Sequence, residues 1–239
     1  MSTANSVVKA LKKFGTPERA KASAWFFKTE KGQYGYGDVF IGVTVPEQRK
    51  VAERFAELPL LEIQKLLNNK IHECRLTALI ILVNQYKNAD PTAQAGKKHQ
   101  DAITRFYLLN SKKINNWDLV DSSASYILGQ NLLNKNNAVL YKLAKSKNLW
   151  ERRIAIISTF ANIRAGRYAD TLKISEILLD DSHDLIHKAA GWALREVGKK
   201  SLATEEQFLK KHKARMPRTM LRYAIEKFPE AKRKGYLKK

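Results

Sequence analysis

The sequence predicts an all-α fold, an α-solenoid of stacked helical repeats, and three observations carry that expectation. Apolar residues recur at i, i+3, i+4 and i+7 through 75–87, 101–109, 136–145, 151–164, 171–179, 184–197 and 218–228, which is one face of a helix in each case. Helix breakers are sparse, with 11 Gly and 6 Pro in 239 residues. Short patterns also repeat. Arg153-Ile154-Ala155-Ile156-Ile157 resembles Lys188-Ala189-Ala190-Gly191-Trp192 at an offset of 35, and Arg75-Leu76-Thr77-Ala78-Leu79 lies 78 residues before the first, about two units of roughly 39. A spacing near 35–45 with two helices per unit is that of HEAT-like repeats, where stacking neighbours builds a core that no single pair can make. The basic residue recurs beside the inner helix, so the stack is expected to have a basic concave face. Residues 1–239 are read as a single HEAT-like helical repeat domain.

Taken in order, the elements fit this reading. Met1 to Phe14 mixes charged and apolar residues and has no secretory signal pattern. Pro17, Pro46, Pro91 and Pro217 each sit where a helix can begin, the position proline tolerates best. Gly15, Gly129, Gly166 and Gly198 sit near expected helix ends. The one strand candidate, 36–45, is interleaved with Gly37 and Gly42 and follows Gly32 and Gly35, so a loop with close backbone approach is expected there. Residues 199–239 carry fourteen Lys and Arg against four Glu, hence +10, yet Leu221, Ala224, Ile225 and Phe228 keep a helical spacing.

Charge narrows the partners. The chain has 44 basic and 23 acidic side chains, a formal charge of +21, with 44% hydrophobic residues. That hydrophobic content supports a core, so the chain is not a disordered polycation. A charge of this size repels itself unless it faces a polyanion, and nucleic acid is the first partner to consider. No apolar run approaches the roughly 18 residues of a membrane helix, so no membrane partner is expected. Cys74 is alone inside an apolar run, which excludes an internal disulfide and suggests a buried thiol in a reducing compartment.

The candidate site residues are Trp117, Asp121, Arg153 and Trp192. In Asn116-Trp117-Asp118-Leu119-Val120-Asp121 the indole and the last carboxylate share one helical face, a turn apart. Asn116 as a cap and Asp118 near the helix dipole account for two polar residues here, and neither explains Asp121. Two tryptophans, an acid and an arginine suit a cation or a sugar ring. Each residue also has a plainer role: tryptophan as core, Asp121 in a surface ion pair, Arg152 and Arg153 on a solvated face rather than on phosphate. Gly191 before Trp192 leaves room for a ligand or for another backbone. Arg195 shares a face with Trp192. His72, His99, His183, His187 and His212 form no ligand array, so no metal is expected. There is no phosphate loop and no nucleophile elbow, so no cofactor is expected.

With these residues in place, the chain resembles the AlkD-type DNA alkylation repair glycosylases. The resemblance is carried by Asn116-Trp117-Asp118-Leu119-Val120-Asp121, by Trp150-Glu151-Arg152-Arg153-Ile154-Ala155-Ile156 and by His187-Lys188-Ala189-Ala190-Gly191-Trp192-Ala193-Leu194-Arg195-Glu196. Phe40-Ile41-Gly42-Val43 followed by Pro46-Glu47-Gln48-Arg49 adds to it. The matches run in order from about residue 17 to 228. The resemblance implies a HEAT-like fold and removal of cationic N3- and N7-alkylpurines from double-stranded DNA, with the base left stacked. It implies that Asp121 is the catalytic carboxylate, that Trp117 and Trp192 pack on the deoxyribose, and that Arg153 contacts DNA in the site. It further implies DNA contacts from Arg152, Arg195, Lys188, Arg49 and Thr44. The chain departs from the family at Thr44-Val45, where relatives carry a more polar pair, and at 30–38, which is longer and richer in glycine. A monomer acting in the cytoplasm on nucleoid DNA is expected. The alternative is a non-catalytic module binding damaged or branched DNA, which has no need of a carboxylate facing phosphate. A scaffold for RNA or ribosomes is a third reading without a recognition motif.

Overall fold

The computed structural model describes residues 2–238 and is all-α, as the periodicity predicts. Among the described residues, strand-like pairing is limited to an isolated parallel bridge between Val39 and Ile71. The expected loop therefore holds over 36–44. The chain divides into two compact units, Met1–Ile127 and Leu128–Lys239.

The first unit holds α1 (Ala4–Lys12), α2 (Pro17–Phe26), α3 (Val45–Arg54), α4 (Leu60–Leu67), α5 (His72–Asn88), α6 (Gln94–Leu109) and α7 (Trp117–Asp121). Its centre is α5, which packs on α1, α3, α4, α6 and α7. Apolar residues on nearly every side of α5 explain this, because a helix without a wet face is stable only when surrounded. Leu79, Ile81 and Leu82 are fully buried, with Leu58, Ile63, Leu66 and Ile103 among the side chains of this core. Cys74 is buried here too, and burial pushes its thiol up to about 12, so it is inert packing.

Two polar devices at the start of α5 and α3 fix the loop before α3. Glu73 is buried, and its carboxylate accepts from the backbone N–H groups of Ile41, Gly42 and Val43 at 2.8–3.3 Å. Gly42 is obligatory in this cradle. Its φ is +78°, and a Cβ would lie 2.3 Å from Thr16 O. Thr44 and Glu47 then form a capping box on α3, with Glu47 Oε2 accepting from both Thr44 N and Thr44 Oγ1 at 2.8 Å.

The second unit holds α8 (Gln130–Leu132), α9 (Ala138–Ala144), α10 (Leu149–Ser158), α11 (Phe160–Arg164), α12 (Ala169–Ile177), α13 (Asp184–Lys200), α14 (Leu202–His212), α15 (Arg218–Ala224) and α16 (Glu230–Leu237). Its centre is α13, packed on α10, α11, α12, α14 and α15. The periodic stretch 151–164 is two helices, because the chain breaks step at Thr159. Pro17, Pro46 and Pro217 do mark helix starts, whereas α6 begins three residues after Pro91. Gly198 lies in the last turn of α13, near the helix end as expected, and a Cβ there would occupy the place of the Glu205 carboxylate. Gly191 serves close packing. A Cβ there would lie 2.4 Å from Met220 O and 2.6 Å from Tyr223 Cβ, so α15 sits directly on the α13 backbone.

This contact predicts the sign of one substitution. Glycine inside a helix ordinarily costs about 1 kcal/mol relative to alanine. At Gly191 the added methyl must push α15 away, so Gly191→Ala is expected to destabilise by about 1–3 kcal/mol. Urea unfolding measures it, and a gain in stability would contradict the packing.

Candidate active site

The site is built outward from α7. Asn116 caps this helix, its side-chain oxygen accepting from Trp117 N at 2.8 Å. Five residues of helix have little stability of their own, so something else must hold α7. That role falls to His72, the first residue of α5, which is 1% exposed. Its Nε2 lies 2.8 Å from Asp118 Oδ2 on α7, and its Nδ1 lies 3.0 Å from Asp38 Oδ2. Arg75 Nη2 donates to Asp38 Oδ1 at 2.6 Å, and Asn116 Nδ2 donates to Asp38 Oδ2 at 3.4 Å.

Both ring nitrogens of His72 thus face carboxylates. A neutral imidazole has one N–H and would turn a lone pair toward one of them, so the geometry calls for the imidazolium. Burial and, to a smaller degree, the Arg75 charge pull the His72 pKa down, but the Asp118 charge and the hydrogen bonds to Asp118 and Asp38 outweigh them, and the net direction is up from 6.5. Asp38 is opposite in sense. Burial raises it, while His72 and Arg75 more than compensate and hold it below 3.8.

Aromatic rings complete the anchor. Phe27 lies between Phe40 and Trp117, with centroids 5.1 and 5.3 Å away and interplanar angles of 15° and 20°. Phe40 stacks on the His72 ring at 4.6 Å, a favourable partner for an imidazolium. Phe26 meets Trp117 edge-on at 5.9 Å. The Trp117 indole is therefore oriented by its neighbours rather than left to rotate.

Asp121, one turn along α7, lines a cleft of about 440 Å³ with Arg49, Glu53, Ile80, Val83, Asn84, Lys87, Ser122 and Tyr126. Lys87 Nζ sits 4.3 Å over the Tyr126 ring. The cleft combines two carboxylates, Asp121 and Glu53, with two cations and an aromatic face, which suits a ligand that carries both phosphate and a developing positive charge.

The structure places the other expected residues as follows. Arg49 is exposed and lines the cleft, and Thr44 is exposed as the cap of α3. In the second unit, Arg152 and Arg153 lie on α10, which Asn148 caps. Arg152 is already paired: Nε lies 2.5 Å from Asp181 Oδ2, and Nη1 donates to Ser146 O and Lys147 O. Arg153 is only 5% exposed and donates to Leu185 O at 2.6 Å. Arg75, its counterpart in the repeat pattern, is equally buried and donates to Asn69 O and Lys70 O. At these two positions the recurring basic residue fastens helices from within, because its guanidinium satisfies carbonyls that helix and loop ends leave open. It does not lie on a solvated basic face there.

On α13, Lys188 pairs with Asp184 at 2.6 Å, and Arg195 pairs with Glu226. Trp192 packs edge-on against Phe160 at 4.6 Å, and its Nε1 donates to Glu196 Oε1 at 3.2 Å. His183 and His187 bind backbone around Asp181–Leu185: His183 Nδ1 accepts from Leu185 N, and His187 Nε2 meets Asp181 O.

Sequence reasoning missed Asp38, His72, Phe26 and Phe27. Asp38 and His72 are 34 residues apart, and His72 and Asp118 are 46 apart. No local spacing links them. A carboxylate inside a glycine-rich loop, followed by a histidine at a helix start, was the available signal.

Comparison with known proteins bears on the whole chain. A family model described as DNA alkylation repair enzyme matches residues 7–228. Among solved structures, a protein described as a predicted DNA alkylation repair enzyme from Enterococcus faecalis matches with a TM-score of 0.71 and 17% identity, covering 90% of this chain and 97% of that one. At that identity the likeness is one of fold. No curated protein matches the chain.

The buried bridge predicts a pH dependence. The folded pKa of His72 is raised, so its contribution is complete below the unfolded value of about 6.5 and is lost as pH rises through the folded value. The folded pKa of Asp38 is lowered, so its contribution is present above about 3.8 and is lost as pH falls through the folded value. His72→Ala is expected to cost about 3 kcal/mol by taking from Asp118 its buried partner, while Asp38 keeps Arg75. The stability gap between wild type and variant should be widest from about pH 5 to 6.5 and should narrow as pH rises past the folded His72 value. Urea midpoints across pH test this, and a gap that widens with rising pH would contradict it.

Proposed function

The chain belongs to the DNA alkylation repair enzyme family, and from that premise we propose that it is a DNA glycosylase releasing positively charged N3- and N7-alkylpurines from duplex DNA. The observation that carries the proposal is Asp121. It lines a cleft beside Arg49 and Lys87, on a short helix whose other end is held by a buried charge bridge. A carboxylate in a DNA-binding cleft repels phosphate, so a module that only binds DNA has no use for it. A reaction that builds positive charge on the sugar does.

The residue chemistry supports the mechanism. An alkylpurine charged on its ring is already a good leaving group and needs no proton. When the bond from C1′ to the base nitrogen breaks, its electron pair neutralises the purine ring, and positive charge grows on the deoxyribose. The Asp121 carboxylate, fixed before the reaction, stabilises that charge without reorganising. It also orients the attacking water, whose oxygen joins C1′ while its proton passes to the carboxylate or to solvent. The Trp117 face adds cation–π attraction, and the Phe27 stack on it holds the ring in place.

By the family resemblance, Trp192 supplies the second ring toward the sugar and Arg153 a DNA contact. Arg49, Thr44 and Lys188 act on the DNA backbone in the same reading. Arg152 and Arg195, already paired with Asp181 and Glu226, join them by exchanging a carboxylate for phosphate. The base stays stacked, since the site acts on the sugar rather than enclosing the purine.

Two predictions follow from the role of Asp121. Asp121→Asn is expected to slow single-turnover release of 7-methylguanine by roughly 10²-fold or more, with DNA affinity kept or raised. Unchanged excision would remove the carboxylate from the mechanism. The second concerns lesion choice. Without a general acid for the base, 7-methylguanine and 3-methyladenine should be released, as should a bulky cationic N7 adduct, while hypoxanthine and 8-oxoguanine should not. Free-base release from matched duplexes decides it, and efficient release of hypoxanthine would reveal an acid that this mechanism lacks.

A further inference from the structure

We propose that the last turn of α2, carrying Trp25, Phe26 and the adjoining Lys28, is a stacking platform for an unpaired nucleobase of DNA. The proposal rests on DNA being the partner and not on base excision. Its starting point is an anomaly of burial. No residue of α2 is buried, and Trp25 and Phe26 are 72% and 54% exposed. Neighbouring large aromatics left in water mark an interaction surface rather than a scattered apolar residue.

The platform is ordered in advance. Phe26 is braced edge-on by Phe27 at 5.2 Å and by Trp117 at 5.9 Å. Lys28 has φ +56°, a left-handed conformation that side chains other than glycine pay to adopt. That turn brings its ammonium to 4.8 Å from the centre of the Trp25 ring. The glycine-rich loop holds the turn closed. Gly35 N donates to Lys28 O at 3.0 Å, and a Cβ at Gly35 would lie 2.2 Å from Phe27 O. Gly35 thereby lets the chain return tightly past the aromatic turn.

The combination of groups selects the partner. A second apolar surface would have to strip water from the Lys28 ammonium. A nucleotide satisfies both parts, base on indole and phosphate on ammonium. The surrounding segment 17–33 is basic as well, with Arg19, Lys21, Lys28 and Lys31 against Glu18 and Glu30. A base in an intact duplex already has both faces stacked, so the platform suits a bulged, nicked or frayed nucleotide. The Phe26 contact with Trp117 sets this surface next to the α7 ring that the proposed reaction uses.

The test is equilibrium binding of the full chain to two lesion-free DNAs of equal length, one fully paired and one with a single-nucleotide bulge. Wild type is expected to prefer the bulged DNA by about tenfold, the scale of one base–aromatic stack. Trp25→Ala should erase the preference, and Trp25→Phe should restore most of it, with affinity for paired DNA held within about twofold in both. Absence of a wild-type preference, or a preference that survives Trp25→Ala, overturns the proposal. So does sedimentation in which wild type dimerises and Trp25→Ala does not, since the surface would then belong to a second copy. Neither DNA carries an alkylated base, so these outcomes are independent of free-base release, which judges the glycosylase reading separately.

Discussion

One buried histidine sets the geometry on which the candidate site depends. His72 joins Asp38 in the loop before α3 to Asp118 on α7, and it does so from the first residue of the most enclosed helix of its unit. Removing the His72 charge leaves Asp118 without its buried partner, even though Arg75 still holds Asp38, which is why a bridge like this fixes position more than it adds stability. The five residues of α7 inherit their placement from it. Trp117 and Asp121 then occupy successive turns of a helix that would not persist alone.

The same logic explains how a chain of +21 spends its arginines. Arg75, Arg152 and Arg195 each meet a carboxylate, and Arg75, Arg152 and Arg153 donate to backbone carbonyls. A planar fork with five donors suits helix junctions, where several acceptors converge. Lysines and the remaining arginines carry more of the exposed charge, and that excess still favours a polyanion. Affinity for DNA then depends on the charge of the whole surface and on a few residues such as Arg49, which is exposed beside Asp121.

The sequence makes periodic features legible and hides those that depend on distant pairs. The helices over 72–88, 94–109, 138–144 and 184–200 follow from apolar spacing, and the capping role of Asn116 follows from its place before α7. Asp121 stands out in sequence because capping and the helix dipole explain Asp118 and leave it unexplained. Asp118 has a second role. The helix dipole favours it, but its partner is a histidine 46 residues away. Gly198 sits near its helix end as the sequence suggests, but the carboxylate that packs against it arrives from Glu205 on another helix, which local spacing does not show. The repeat of Arg75 and Arg153 is real as placement near helix starts, yet hydropathy spacing cannot distinguish a buried guanidinium from a solvated one. The exposed Trp25 and Phe26 give no sequence signal at all, because an aromatic at helical spacing reads as core.

The arrangement around α7 turns on the charge state of His72. Side-chain nitrogen NMR across a pH series reads it directly, with His72→Gln to assign the resonance. Both ring nitrogens of His72 are expected to carry protons at pH 6.5 and to lose the imidazolium signature only at higher pH than a free histidine does. A neutral tautomer at or below that pH, with one nitrogen bearing a lone pair toward a carboxylate, would contradict it.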